Sequence, residues 1–304
     1  MDKIEFQSLI KQIQAFSRPL EKARINHLFF GADAKDVINE LAHYQNLDGG
    51  FGHALEPDLW NPNSSPIQTW LAIVILRSLP ISSDYPMINL LLKYLESSFD
   101  EKTKRWPRLD LTNDLYPHAP WWSYRDESPD FNPSASIAGF IVLHTKPDCK
   151  LHKNAMLVIE DVLSFLQNTI DPIEVHELRS IIDMANDLNK GNRSDLITHD
   201  IVSLIIFHMN LIIEKDSTQW FTSYSVKPSA LIKRHPSIGS DIFTDLMLKE
   251  LDLAMKSRNN QGIWPITWSW NDYPEAFIEA SKMWIGIIGF EYLELMEHYG
   301  IIQK

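Results

Sequence analysis

The fold is decided by the stretch Tyr44-Gln45-Asn46-Leu47-Asp48-Gly49-Gly50-Phe51-Gly52. It follows a pattern typical of an amphipathic helix, in which Val37, Ile38 and Leu41 are spaced to share one face. Glycine permits a tight reversal after a helix, and Gln or Asp side chains can satisfy the backbone groups left without partners at a helix end. The stretch therefore predicts a sharp turn out of a helix, with the ring of Phe51 covering the joint.

A similar turn is predicted later in the chain, at Arg258-Asn259-Asn260-Gln261-Gly262-Ile263-Trp264, and a third candidate, residues 100–106, keeps only the aromatic residue. The aromatic anchors of these loops are Phe51, Trp106, Trp220 and Trp264. Their separations of 55, 114 and 44 residues fit one period of roughly 57 residues, with 114 as two periods. A pair of helices with its connections has about that length, so the spacing predicts repeated helical hairpins.

The segments between the turns have two kinds of helical pattern. One kind is amphipathic, with apolar residues recurring every three or four positions. The other kind is apolar nearly all round, as in residues 67–79, 137–143, 201–213 and 283–295. A helix without a polar face is buried, so the second kind must be enclosed by the first. The sequence therefore predicts an all-α fold, an α/α toroid of about five or six hairpins, forming a single domain over residues 1–304.

The first turn closely resembles the Gln-Asp-Gly-aromatic repeat of the terpenoid cyclases and protein prenyltransferases, and the second keeps Gly-x-Trp but has Arg258 where the motif has Gln. This resemblance implies the α/α toroid of that family over most of the chain. It does not extend to the catalytic motifs of that family. Residues 110–114 lack the adjacent acidic pair of the cyclase motif, and Pro147 stands where the zinc-binding motif has its aspartate.

Composition and charge exclude several classes of function. The 304 residues carry 40 acidic and 28 basic side chains, a net charge of -12, which repels polyanions such as nucleic acid. The longest apolar stretch, residues 201–213, is shorter than the roughly 20 residues that a bilayer requires. Cys149 is the only cysteine, which favours a cytoplasmic protein. Because Cys149 and His152 supply only two potential ligands, we expect no metal and no cofactor.

Three loops concentrate the aromatic and titratable residues, and each lies between an outer helix and the start of an inner helix. In a closed ring these loops would emerge at the same end, where they would form a mouth of the kind that binds small molecules. The candidate substrate-binding residues are Trp60, Trp121, Trp122, Asp126, Trp268, Trp270 and Tyr273.

The candidate catalytic residues are the carboxylates of this mouth together with one histidine. Carboxylates that lie close together shift one another's pKa values towards those useful for acid or base catalysis. We expect Glu56 and Asp58 to form the acid/base pair and His53 to transfer or orient a proton. We expect Asp272 and Glu275 to face them across the mouth.

Two functions remain open. One is an enzyme that performs acid/base chemistry on a small isoprenoid-like or glycan substrate, and the other is a non-catalytic protein that binds a ligand or peptide at the same mouth. The carboxylates could also simply cap helices or pair with arginine. A separate basic cluster, Lys227, Lys233, Arg234 and His235, could receive an anionic group such as a diphosphate. The sequence does not indicate an oligomeric state.

Overall fold

The computed structural model describes residues 1, 3–126, 128–191, 193–223 and 225–302. Over these residues the chain forms twelve α-helices and three short 3₁₀ turns without a β-strand, which confirms the prediction of an all-α fold. The helices are α1 Lys3–Phe16, α2 Pro19–Phe30, α3 Ala34–Ala42, α4 Pro66–Leu76, α5 Pro86–Ser97, α6 Ser134–His144, α7 Lys150–Asn168, α8 Val175–Lys190, α9 His199–Ile212, α10 Pro228–Leu231, α11 Thr244–Ser257 and α12 Pro274–His298. Among the described helices, none combines the length and the apolar character that crossing a bilayer requires.

The chain divides into two compact units. Unit 1 comprises Met1–His43, Pro117–Pro120 and Glu214–Lys304, and unit 2 comprises Tyr44–Tyr116 and Trp121–Ile213. Unit 1 contains α1–α3 and α10–α12, whereas unit 2 contains α4–α9. The closed toroid and the single domain stay predictions.

Unit 2 is built from two layers of helices. Helices α4, α6 and α8 form one layer, α5, α7 and α9 form the other, and α6 packs against both α8 and α7. The contact between α6 and α8 is close because a Cβ atom added to Gly139 would lie 2.7 Å from the Cα atom of Met184. Helices α4 and α6 are buried along most of their length, as their apolar sequences predict.

A buried group of ions and hydroxyls connects the three helices of the α4–α6–α8 layer. The guanidinium of Arg77, at the end of α4, lies 2.6 Å from Asp187 and 3.4 Å from Asp183, both on α8. It also donates to the hydroxyl of Ser136 on α6 over 2.8 Å and to the carbonyl of the same residue over 2.6 Å. Removing one partner of such a buried group leaves an uncompensated charge, so the layer depends on the whole group.

The exposure of helix α9 shows that one prediction of burial was wrong. Residues 201–213 were expected to be buried on all sides, but Phe207 and Leu211 are each 44% exposed. Within unit 2, α9 packs mainly on α7 and α8. Its remaining face therefore stays apolar and uncovered by these two neighbours.

Unit 1 is organised around the long helix α12, which packs against α1 and α2. Two glycines of α12 allow this approach. A Cβ atom at Gly286 would lie 2.7 Å from the Cα atom of Ser17, and one at Gly289 would lie 2.6 Å from the Cγ2 atom of Ile13. These two glycines therefore serve close helix packing.

The two clear sequence turns form the same backbone structure. In the first, the Asn46 amide donates to the Gly50 carbonyl over 2.8 Å and the Gly49 amide donates to the Asn46 carbonyl over 2.9 Å. In the second, the Asn259 amide donates to the Ile263 carbonyl over 3.0 Å, and the Gly262 amide donates to the Asn259 carbonyl over 2.8 Å. We call this structure the joint. Gly49 has a φ of +95° and Gly262 a φ of +76°, conformations that favour glycine.

Residues 100–106 form a third joint although their sequence keeps only the aromatic residue. The Asp100 amide donates to the Arg105 carbonyl over 2.9 Å, and the Lys104 amide donates back to the Asp100 carbonyl over 2.7 Å. This reversal is one residue longer than the others, and Lys104 takes the left-handed position with a φ of +55°. Residues 100–106 therefore have the backbone structure of the joint although their sequence keeps only the aromatic residue.

In the second and third joints, the aromatic residue also satisfies the end of the helix before it. The indole nitrogen of Trp106 donates to the Leu95 carbonyl in the last turn of α5 over 2.8 Å. The indole nitrogen of Trp264 donates to the Ala254 carbonyl in the last turn of α11, also over 2.8 Å. Such carbonyls otherwise require water or a capping group, so each tryptophan is both a core residue and a helix cap.

The first prediction concerns this indole bond. Trp106→Phe should lower the free energy of unfolding by about 1–3 kcal/mol, because it removes a buried hydrogen bond and leaves a small void. Urea denaturation measures the change. The control is Trp121→Phe, which changes a ring that is 39% exposed and should alter stability by less than about 0.5 kcal/mol. Equal effects of the two substitutions would contradict a capping role for Trp106.

The second prediction concerns the reversal at Gly49. A Cβ atom at Gly49 would lie 2.1 Å from the Leu90 carbonyl oxygen, whereas Gly31, with a φ of +69°, has nothing within 4 Å of its added Cβ. Gly31→Ala should cost about 1–2 kcal/mol from backbone strain alone. Gly49→Ala should cost at least about 3 kcal/mol, because overpacking adds to the strain. Similar losses in urea denaturation would show that the close approach to Leu90 is unimportant.

Candidate functional site

The predicted site residues fall into both units. Unit 2 contains His53, Glu56, Asp58, Trp60, Trp121, Trp122 and Asp126. Unit 1 contains Trp268, Trp270, Asp272, Tyr273 and Glu275. A single mouth that joins both sets stays a prediction.

The first loop of unit 2 buries the proposed acid/base pair. Glu56 is 6% exposed and Asp58 is 2% exposed. The Asp58 amide donates to the Glu56 carboxylate over 3.3 Å, and the Leu59 amide closes a turn on the Glu56 carbonyl over 3.0 Å. The half-buried indole of Trp60 folds back and donates to the Pro57 carbonyl over 2.9 Å. The loop therefore brings two carboxylates and one indole together within five residues.

His53 lies at the beginning of this loop and is oriented by the joint. Its ring nitrogen Nε2 lies 2.9 Å from the side-chain oxygen of Asn46, and its amide donates to the Asn61 carbonyl over 3.1 Å. His53 and Ala54 both adopt left-handed backbone conformations, with φ values of 60° and 59°. Strained non-glycine residues are concentrated at functional sites, and here the strain fixes the direction in which the loop leaves the joint.

A chain of buried amides holds the first and second loops of unit 2 together. Gln68 on α4 donates to the Asn61 carbonyl over 2.9 Å, Asn61 donates to the Asn113 side-chain oxygen over 3.0 Å, and Asn113 donates to the Trp122 carbonyl over 3.0 Å. We call these four residues the polar chain. Gln68, Asn61 and Asn113 are each 0% exposed. Sequence reasoning missed them because Asn and Gln in such segments are usually on the surface.

The second loop presents aromatic rings to solvent. Trp121 is 39% exposed and Tyr124 is 43% exposed, while Trp122 is half-buried and Asp126 is exposed. The guanidinium of Arg125 donates to the Trp121 carbonyl over 3.2 Å, and the Tyr124 amide donates to the Asp114 carboxylate over 3.0 Å. These bonds hold the loop in a defined conformation beneath its rings.

The loop of unit 1 is more deeply packed than its aromatic composition suggests. Trp270 is 7% exposed and lies 5.7 Å from the Phe277 ring. Trp268 makes an edge contact with Trp284 at 5.2 Å, and the Tyr273 ring lies 5.7 Å from that of His118. These predicted substrate-binding rings therefore have packing partners inside unit 1.

The two carboxylates of the same loop are exposed. Helix α12 begins at Pro274, and its N-cap is Tyr273, with a φ of 54° and no side-chain cap. Asp272 therefore does not occupy the capping position. Glu275 lies in the first turn of α12, where the helix dipole favours a negative charge.

The basic cluster of unit 1 has internal partners. Lys227 donates to the hydroxyl of Tyr292 over 3.0 Å, and Lys233 lies 3.0 Å from the carboxylate of Glu291. Burial lowers the pKa of Lys227 and raises the pKa of Glu250, which is fully buried against Ser229. This arrangement argues against the cluster as a receptor for an anionic ligand.

Potential metal ligands do not cluster in the part of the chain that the structure describes. It contains no group of three or more His, Cys, Asp or Glu residues able to hold a metal ion. The sulfur of Cys149 instead accepts the His152 amide over 3.4 Å and caps α7, and the His152 ring bonds to Thr145 over 3.0 Å.

Two surface clefts lie elsewhere in unit 1. One, of about 430 Å³, lies between α1 and the loop that follows α11, and the other, of about 360 Å³, lies between α2 and α3. None of the predicted site residues lines either cleft.

The chain matches no protein-family model. Neither the curated proteins nor the solved structures include a significant match. The function must therefore be argued from the residues and their geometry.

Proposed function

We propose that this protein is an α/α-toroid enzyme that binds a small neutral substrate, isoprenoid-like or glycan, at the aromatic loops of unit 2. In this proposal Glu56 and Asp58 are the acid/base pair, and Trp60, Trp121 and Trp122 bind the substrate. We further propose that the protein is cytoplasmic and acts without a cofactor.

One observation carries the proposal, namely the burial of Glu56 and Asp58 in a loop whose residues 55–59 are all buried. Removing a carboxylate from water is unfavourable unless it gains compensating interactions. Carboxylates are seldom fully buried, and this loop buries two of them two residues apart. Departures of this kind from the rules of folding are expected at functional sites.

The chemistry requires two different roles for these carboxyl groups. One donates a proton to the reacting oxygen or alkene, and the other accepts a proton or stabilises the positive charge that develops. Exposed aromatic faces are suited to stacking on a sugar ring or stabilising a cation. His53 exchanges protons with solvent at the loop's beginning, and Asp272 and Glu275, with Trp268, Trp270 and Tyr273, complete the mouth if the toroid closes.

A second candidate is a binding protein without turnover. The low exposure of Glu56 and Asp58 favours it, because a catalytic carboxylate must reach its substrate. Binding needs only the exposed rings of the second loop, and Trp121 and Tyr124 supply those.

The third prediction separates these two candidates. Purified protein is incubated with neutral p-nitrophenyl glycosides and, separately, with farnesol and geranylgeraniol; turnover is followed by absorbance or mass spectrometry, and binding by tryptophan fluorescence. Glu56→Gln and Asp58→Asn should each reduce kcat/KM at least about 100-fold, the usual loss for a general acid or base. Trp121→Ala should weaken binding several-fold.

The control is Glu101→Gln, which changes an exposed carboxylate of unit 2 that pairs with Lys150 and should leave both measurements unchanged. Binding that weakens in Trp121→Ala without turnover would select the binding protein. If no probe binds, or if Trp121→Ala binds like the unaltered protein, the site lies elsewhere.

A further inference from the structure

Arg179 on α8 is a half-buried cation without an anionic partner among the described residues. In that part of the chain its guanidinium makes neither a hydrogen bond nor an ion pair. Its nitrogen Nε is buried without a partner, whereas the two terminal nitrogens are not buried and can be reached from solvent. A charge that is partly removed from water is unfavourable unless it is paired. The accessible side of this guanidinium is therefore a place where an anion would be stabilising.

Arg77, in the same layer of helices, has the partners that a structural arginine requires. Its guanidinium lies 2.6 Å from Asp187 and 3.4 Å from Asp183. The carboxylate of Asp183, one turn beyond Arg179 on α8, also accepts from the hydroxyl of Ser136 over 3.2 Å. These two carboxylates are therefore engaged with Arg77, and Arg179 does not form an ion pair with either of them.

An aromatic ring that is itself fixed holds the guanidinium of Arg179. The central carbon of the guanidinium lies 5.3 Å from the centre of the Trp70 ring on α4, which is within the range of cation–π attraction. Trp70 is 7% exposed, and its indole nitrogen donates to the hydroxyl of Ser136 over 2.9 Å. A cation that is already ordered in this way loses less conformational entropy when it binds a ligand.

The turn of α8 that contains Arg179 lies against the end of the second loop. Glu177 accepts from the Phe131 amide over 2.9 Å, and Ser180 donates to the side-chain oxygen of Asn132 over 3.3 Å. Arg179 stands between these two contacts in the sequence. A ligand bound to Arg179 would therefore lie within one helical turn of the residues that hold this loop.

We propose that Arg179 binds the carboxylate of a small ligand that carries a single negative charge. The two accessible terminal nitrogens present parallel N–H donors that match the two oxygens of a carboxylate. A doubly charged phosphate is disfavoured, because Asp183 and Asp187 together carry one negative charge more than Arg77 neutralises. This inference goes beyond the proposed function, whose substrate is neutral, and adds a site for a second, acidic ligand.

The test titrates the protein with acetate, benzoate and glucuronate, and with inorganic phosphate for comparison, at constant ionic strength. In ¹H–¹⁵N spectra of the arginine Nε–H groups, the resonance that is missing in Arg179→Gln identifies Arg179. We expect this resonance to shift with at least one of the carboxylates and to shift less with phosphate. Calorimetry then measures the affinity of the best carboxylate. Arg179→Gln should weaken that affinity at least about tenfold, because it removes a pair of charge-assisted hydrogen bonds.

The matched control is Arg193→Gln, which removes the same charge from another arginine of unit 2. The guanidinium of Arg193 lies 3.3 Å from the carboxylate of Asp195, so its loss should change the affinity less than about threefold. Arg179→Lys is a second variant in case Arg179→Gln does not fold. It keeps the charge but lacks the two parallel donors, and it should weaken binding several-fold. Equal weakening in Arg193→Gln and Arg179→Gln would reveal a general effect of charge and overturn the inference.

Two further outcomes would overturn it. One is an Arg179 resonance that moves with none of the three carboxylates up to about 50 mM, a concentration well above weak dissociation constants. The other is a response to phosphate that equals or exceeds the response to the carboxylates, which would replace the carboxylate with an unselective anion. Neither outcome affects the proposed function, which is tested with neutral probes and with Trp121→Ala.

Discussion

The joint that precedes α4 and the one that precedes α6 are the constraint on which the rest of unit 2 depends. The Phe51 amide donates to the hydroxyl of Thr69 in α4 over 3.0 Å, and the Ser65 amide donates to the Phe51 carbonyl over 3.0 Å. Trp106 makes the corresponding bonds with Ser134, the first residue of α6, over 3.0 and 3.1 Å. Each loop between helices is therefore closed at its base, and only its outer part is free to vary.

The parts of the fold that could be predicted from the sequence are those that depend on neighbouring residues, as the joint does. Turn chemistry and helical periodicity are local properties, and they identified the joint at Gly49 and most of the long helices. Helix α8 was not predicted because polar residues are buried among its apolar ones, and two of these, Asp183 and Asp187, pair with Arg77. A hydrophobic pattern does not reveal such buried ion pairs. The joint at Lys104 was only a candidate, because its sequence keeps only the aromatic residue and lysine seldom takes a left-handed conformation.

For the candidate site, the sequence predicted only which types of residue belong to it, and not their burial or their contacts. Pro- and Asn-rich loops with acidic and aromatic side chains indicated where Glu56, Asp58 and Trp121 belong. The burial of Glu56 and Asp58, however, is decided by tertiary packing. Asn61 and Asn113 are 52 residues apart in the chain, yet they bond directly. No local pattern specifies such a pair.

Helix α4 connects the local structure of the joint with the contacts that depend on tertiary packing. Its first turn is fixed to the Phe51 joint through Ser65 and Thr69, and its end is fixed to α6 and α8 through Arg77. Gln68 and Arg77 are nine residues apart, or about 14 Å along the axis. A helix anchored at both ends cannot rotate Gln68 away from the loops, so the hydrogen bond from Gln68 to the Asn61 carbonyl is held in place. The joint and the ion group therefore position the polar chain that connects the two loops of unit 2.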